Sequence, residues 1–463
     1  MASSSSIRKL ALVVGGGPAP GINGVISAVT IEAINRGIEV LGISDGYKHL
    51  VKGDATNIQK LTRESVKQWH NRGGSLLGTA RTNPTKKKED MDNVLQVFRK
   101  MEIDALVSIG GDDTAYTASQ VYKSFQESGG YIRVAHVPKT IDNDLPLPGS
   151  TPTFGFETAR HHGVSIVGAL AEDARTTARW YIVISMGRAA GHLALGIGKA
   201  SAATLTIIPE EFGLNADGKP NNITLKRLAD IILGSIIKRI ENKKEYGVVV
   251  LAEGLIESVK DDLKIILDNT SSKYGTYQTD EHGHLRLGQI EFGRLVRDLL
   301  TERLTKPMAV KAPAGASPKT DRLHDILGLP LEPYGLNVTL INKDLGYELR
   351  CADPIPFDAE YTRDLGYSAV KFLLSEDAKK YGAIIGFIQG NMVPMEFEKM
   401  LDPKTKRMQT RLVNVKGEGY EVANRYMIRL GPRDFTSPET VARLAAVVDR
   451  TPEQFRQEFE YLV

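Results

Sequence analysis

Two pairs of carboxylates stand where the chain leaves apolar runs. In "IGGDDTAYTA" (109–118), Asp112 and Asp113 follow two glycines at the point where a strand-like run should turn into a helix. In "VPKTIDNDLPLPG" (137–149), prolines on either side hold the segment extended. At the period of two of an extended chain, Asp142 and Asp144 then face one way and Asn143 the other. A third strand end, "LVVGGGPAPGING" (12–24), leaves through Gly15, Gly16 and Gly17 and enters a helix near Ile22, so exposed N–H groups and the helix's positive end are placed for an anion. It is neither a Walker loop, since Ile-Asn follows Gly21 where Lys-Ser/Thr is required, nor GxGxxG, whose third glycine falls earlier. Carboxylates beside glycine-rich anion loops suit metal-assisted phosphoryl transfer, one acid taking the attacking hydroxyl's proton and another helping to hold Mg²⁺. Each stretch also has a plain structural reading: a ligand-free glycine turn, a helix cap at Asp112, and an acidic surface loop at 142–144.

Residues of this kind need elements to position them. Short β-branched runs alternate with segments of helical period, the pattern of parallel strands joined by crossover helices, which predicts an α/β fold. The strand candidates are 9–14, 38–43, 104–110, 132–138, 180–185, 203–208, 247–253 and 383–389; helix candidates include 22–36, 89–101, 114–127, 155–174 and 222–242. Polar, poorly periodic stretches at 256–285 and 311–322 read as excursions, and the chain after about 400 reads as a polar hairpin followed by a helical tail. At 463 residues, two or three domains are expected. A formal charge of +3 argues against a nucleic-acid binder working by bulk electrostatics. The single cysteine, Cys351, forms no internal disulfide, and no apolar run approaches the ~20 residues of a membrane span. The polar "MASSSSIRKL" lacks a signal peptide's apolar stretch, so the reading is soluble and cytoplasmic, with no membrane partner.

Taken together, "GGGPAPGIN", "GTAR" (78–81), "IGGDDT", "PKTIDNDL", "SMGRAAGH" (185–192), "LAEG" (251–254) and "LGYELR" (345–350) resemble the phosphofructokinase family in order and spacing, over most of the chain up to about 390. The resemblance implies two similar Rossmann-like three-layer domains with the active site in the cleft between them, in a homodimer or homotetramer. Residues 1–150 with about 348–400 would take the phosphoryl donor, 151–347 the sugar phosphate, and 401–463 would form an extension. The implied acceptor is the carbon-1 hydroxyl of fructose 6-phosphate. Position by position, Asp142 matches the general base, and Thr140 and Asp144 flank the sugar hydroxyl and the metal, with Ile141 between them. Asp112 matches the Mg²⁺-associated acid; Met186, Gly187 and Arg188 match the sugar-phosphate contact; Glu253 matches a sugar-hydroxyl acceptor; Tyr347 and Arg350 match 6-phosphate ligands. Arg81 matches a residue that bridges the transferred phosphoryl group, Gly16 and Gly17 match the donor loop, and Arg179 matches an arginine that in many relatives reaches a neighbouring subunit's site. Four positions depart from the family pattern: Pro18 replaces an aspartate, Tyr347 a histidine, and Cys351 and Ala352 two glycines. A second sugar-phosphate cation has no clear counterpart, Lys343 lying nearest.

In relatives that use ATP, the residue after the first acid of the GGD turn is glycine; here it is Asp113. A carboxylate about 4 Å from a nucleotide phosphate oxygen would cost roughly 4 kcal/mol at an effective dielectric near 20, about a thousandfold in affinity. Asp113 and Lys139 together resemble the pyrophosphate-dependent branch, so pyrophosphate is the expected donor, used reversibly in glycolysis and gluconeogenesis. The rivals are an ATP-dependent phosphofructokinase, a lipid or NAD kinase, and a non-catalytic sugar-phosphate sensor.

Overall fold

The computed structural model describes residues 7–148, 151–270, 272–278, 287–305, 322–330, 332–400 and 409–463. The serines at 3–6, nearly all of the 311–322 stretch and the first half of the expected C-terminal hairpin lie outside the described residues. The described strands are β1 (Lys9–Val14), β2 (Glu39–Ile43), β3 (Ile58–Leu61), β4 (Ala105–Gly110), β5 (Arg133–Pro138), β6 (Arg179–Ser185), β7 (Leu205–Ile207), β8 (Gly247–Ala252), β9 (Thr339–Leu345), β10 (Ala383–Ile388) and β11 (Asn391–Glu396). The chain divides into two compact units, Met1–His162 with Tyr347–Arg411 and Gly163–Gly346 with Leu412–Val463.

The first unit is built on a seven-stranded sheet in the order β11-β10-β5-β4-β1-β2-β3, parallel except at the two edge pairs, β2–β3 and β10–β11. Strand β1 is apolar after Lys9 because both its faces are covered. Leu10, Leu12 and Val14 pack with Ile22, Val25 and Val29 of helix Ile22–Asn35, whereas Ala11 and Val13 pack with Val94 and Phe98 of helix Lys88–Lys100 and Val121 of helix Asp112–Glu127. The result is a three-layer α/β unit. Strand β1 continues to β2 on one side while β4 lies on its other side, so the sheet changes direction between β1 and β4. That is the position at which open parallel sheets bind ligands.

The second unit carries a four-stranded parallel sheet, β7-β8-β6-β9. Its core corrects the expectation of an excursion for the described part of 256–285, residues 271 and 279–285 lying outside the described residues. Leu263, Ile266 and Leu267 recur at the spacing of one helical face within helix Lys260–Asn269, and they and Tyr274 are buried in that core. The tail after Leu412 is not a separate extension either. Helices Glu418–Tyr426, Pro438–Val447 and Pro452–Phe459 place Ala423, Leu444, Phe455 and Phe459 in the same core. Among the described residues, no helix is long and apolar enough to cross a membrane.

Candidate active site

In the first unit the register aligns the carboxyl ends of three strands. Val14 pairs with Ile109 and Gly110 with Pro138, so the loops after β1, β4 and β5 leave one edge of the sheet side by side. A fourth segment joins them. Gly15 bridges Ala80, Gly16 N–H donates to the Ala80 carbonyl at 3.0 Å, and Arg81 follows directly, exposed. This bond corrects one expectation, because the Gly15 and Gly16 amides are already donated to Ile109 and Ala80 and cannot hold an anion. Gly16 instead supplies the turn, with φ +83°. Among the described residues, Gly17 N–H keeps no internal partner. A side chain at position 17 would meet the Arg350 guanidinium at 3.3 Å, so its lack of one lets that cation approach.

Lys139 is the centre of this set. Its side chain is buried, its amine donates to the Gly17 carbonyl at 2.5 Å, and it feels the charges of Arg350, Asp142, Asp112 and Asp144. Burial, and then the Arg350 charge, hold the amine down at about 8 against the pull of the three carboxylates. Arg350 ends the short helix Tyr347–Arg350, and its guanidinium faces the Tyr347 ring at 5.2 Å. The structure therefore places Arg350 and Tyr347, read from sequence as ligands of the sugar's 6-phosphate, at the glycine loop of the first unit.

The GGDD turn is not a side-chain cap. The residue preceding the helix is Gly111, and Asp112 and Asp113 form its first turn, where the helix dipole favours negative charge. Asp112 keeps contact with solvent, yet the chain crowded about its carboxyl, with Asp113 and Asp144 nearby, pushes it up to about 6. Thr114 locks the turn from below: a Cβ at Gly15 would lie 2.6 Å, and one at Gly110 2.4 Å, from its side chain. His136, buried and pushed down to about 3 by burial, is neutral and meets the Gly110 carbonyl through Nε2 at 3.0 Å.

The TIDND loop also departs from expectation. Asn143 has φ +55°, so 142–144 is not an extended segment with alternating faces. Asparagine tolerates this left-handed conformation better than most residues. Asp142 N–H donates to Thr140 Oγ1 at 3.0 Å, and the Thr140 hydroxyl also bonds the Asp144 carboxylate. Burial, with Asp142 next, raises Asp144 above the ordinary carboxylate range. Ile141 is buried.

In the second unit, β6 and β8 are neighbours in register, Ser185 against Ala252, so the residues that follow them meet. Glu253 N–H donates to the Ser185 carbonyl at 2.9 Å, and Gly187 N–H lies 3.3 Å from Glu253 Oε2. Gly254 admits the Arg188 carbonyl, which a side chain there would meet at 2.7 Å. Met186, Gly187, Arg188 and Glu253 are thus brought together, with Arg188 exposed. Arg179 is not among them. It opens β6 at the opposite end, about 20 Å away at ~3.3 Å per residue, and among the described residues its buried Nε has no hydrogen-bond partner. Lys343 lies exposed on β9, opposite Val183.

Residues 9–295 match the sequence model of the family described as PFK, phosphofructokinase. The chain belongs to the phosphofructokinase family. Its similarity to full-length members of that family runs from end to end: it is 46% identical over 459 residues to a pyrophosphate–fructose 6-phosphate 1-phosphotransferase of Naegleria fowleri, covering 99% of this chain and 96% of that one. A protein of the same name from Thermotoga maritima is 44% identical over 452 residues, covering 98% of each. A structure titled pyrophosphate-dependent phosphofructokinase, from Nitrosospira multiformis, superposes with a TM-score of 0.61 at 16% identity over 96% of this chain and 92% of that chain, a likeness of fold.

Sequence reasoning missed three residues around these phosphofructokinase motifs. Thr114 and His136 lie inside or beside recognised motifs but act on backbone, which residue type alone does not announce. Arg411 is distant in sequence. Its guanidinium donates to the Asn143 and Thr151 carbonyls, and no motif marks it.

Proposed function

We propose that the chain catalyses reversible, Mg²⁺-dependent phosphoryl transfer from pyrophosphate to the carbon-1 hydroxyl of fructose 6-phosphate, giving fructose 1,6-bisphosphate and phosphate. The observation that carries this reading is Asp113: it follows Asp112, whose charge acts on Lys139, in the first turn of a helix at the sheet's switch point. A second fixed charge there opposes a nucleotide's longer phosphate chain and bounds a two-phosphate donor. The names of the two full-length relatives support the same donor.

On this reading Gly17 N–H, Lys139, Arg350 and Arg81 hold the donor, their cations meeting charge that develops on the leaving phosphate. Asp142 takes the proton of the attacking hydroxyl, and Thr140 orients Asp144 beside it. Met186, Gly187, Arg188 and Glu253 receive the sugar phosphate, the arginine through phosphate and the glutamate through hydroxyl groups. Among the described residues, no group of three or more His, Cys, Asp or Glu is placed to cage a metal. That suits Mg²⁺, which is usually held by one or two carboxylates and the substrate's own phosphates. Asp112, in a cluster of negative charge with Asp113 and Asp144, fits as its protein ligand. When bound, the ion would neutralise phosphate charge. Arg179, remote from Arg188 in its own chain, supports a homodimer or homotetramer in which it serves a neighbouring copy. A cytoplasmic location belongs to the same reading.

The test is turnover with fructose 6-phosphate and Mg²⁺, comparing pyrophosphate with ATP. Pyrophosphate should support turnover and ATP should not; activity with ATP alone overturns the reading. Asp113→Gly should weaken pyrophosphate use and begin to admit ATP, by up to about a thousandfold in relative affinity. An unchanged donor preference would remove Asp113 from this role.

A further inference from the structure

We propose that Arg411 is a positioning residue for the TIDND loop, setting the backbone kink from which Asp142 acts; this rests on the phosphoryl-transfer reading above. The loop carries one unfavourable feature, the left-handed Asn143. Arg411 surrounds that residue. Its Nε donates to the Asn143 carbonyl at 3.1 Å, its Nη1 to the Thr151 carbonyl at 3.0 Å, its Nη2 to Asn143 Oδ1, and its own N–H to the Asp144 carbonyl at 2.6 Å. The returning segment of the loop completes the frame, with Thr153 N–H donating to Asn143 Oδ1 at 3.1 Å and Thr153 Oγ1 to the Thr140 carbonyl at 2.8 Å.

These bonds take up backbone acceptors on both sides of Asn143, so the shape of the loop is set through its main chain. A planar guanidinium can serve three acceptors in fixed directions, as an ammonium cannot. Without it, Asn143 is free to return toward the extended region, which rotates Asp142 relative to Asp144. General-base catalysis tolerates little misplacement, and a shift near 1 Å costs about 10²-fold in rate. On the same reading the donor and the sugar phosphate are also held by Gly17, Arg350, Arg188 and Glu253, outside this loop, so the larger defect belongs in kcat.

The experiment measures kcat and KM for both substrates in the full-length enzyme, in wild type, Arg411→Met and Arg411→Lys, alongside thermal melting. The donor is pyrophosphate or ATP, whichever supports wild-type turnover, so an error about the donor leaves the Arg411 result readable. Arg411→Met should lower kcat about 10²-fold with each KM within about threefold of wild type. Arg411→Lys, which keeps the cation and part of the bonding, should recover about tenfold of the loss. An unchanged kcat in the Met variant overturns the proposal, as does a loss that appears in KM instead. Should the Met variant not fold, the Lys variant decides: a melting curve like wild type with reduced kcat supports the role, and wild-type kcat sinks it. Absence of wild-type turnover with either donor removes both this proposal and the reading beneath it.

Discussion

Lys139 is buried among four charged groups with its amine held at about 8, which makes it the side chain whose protonation should govern capture of the donor. Below about 8 the amine is charged and attracts an anionic donor; above it the charge is lost. The value of kcat/KM for pyrophosphate should therefore fall as pH rises through about 8. A bound anion favours the charged amine, so the corresponding limb of kcat should lie at higher pH. Lys139→Met should abolish the limb near 8 and cost about 10²–10³-fold in kcat/KM, the range for losing one donor to developing charge. A pH–rate series on both proteins checks this; an unchanged limb in the Met variant would assign it elsewhere. Lys139 was legible in the sequence because it sits in a motif beside the acids it serves. Arg411 was not legible, because the loop it braces is 268 residues away and its neighbours carry no pattern.

At the scale of elements, the turns after β1 and β4 depend on the absence of two side chains and the presence of one. Thr114 fills the space where Cβ atoms of Gly15 and Gly110 would stand. Gly15→Ala should destabilise the protein by about 1–3 kcal/mol through overpacking. In Gly15→Ala with Thr114→Ala, the clash at 2.6 Å is removed and the remaining approach, to the threonine Cβ, is 3.3 Å. Part of the loss should return, giving a coupling of about 0.5–3 kcal/mol in denaturant titrations of the four-protein cycle. Additive effects would show that Thr114 is not what the glycines accommodate. Elements buried on both faces were the readable ones, since β1, β4 and β5 are buried almost throughout and mostly apolar. The strands that escaped notice lie at sheet edges. Strand β9 reads "TLINKDL" with most of its residues accessible, β3 has four residues, and β11 carries Pro394, which edge strands tolerate. Helix Lys260–Asn269 had a legible apolar face at 263, 266 and 267, but the polar residues after it hid the pattern.

For the whole molecule, the two units have separate apolar cores, and the C-terminal helices belong to the second. Trp180 lies fully buried in that core, whereas the chain's other tryptophan, Trp69, is in the first unit and 38% exposed. Tryptophan emission therefore distinguishes the units, most cleanly in a Trp69→Phe background. Phe459, near the end of the chain, is fully buried, and its ring centroid lies 4.9 Å from that of Phe455. Phe459→Ala should remove about 3–5 kcal/mol of core stabilisation. If 412–463 were an appendage, the loss would melt the tail and leave Trp180 unaffected. Because the tail helices share a core with β6 and β8, the expected outcome is instead an earlier red shift of Trp180 emission, by several degrees in a thermal scan. A Trp180 transition unmoved by Phe459→Ala would return the tail to the status of an extension. A coincident shift would make the last fifty residues part of the scaffold that holds Arg188 and Glu253.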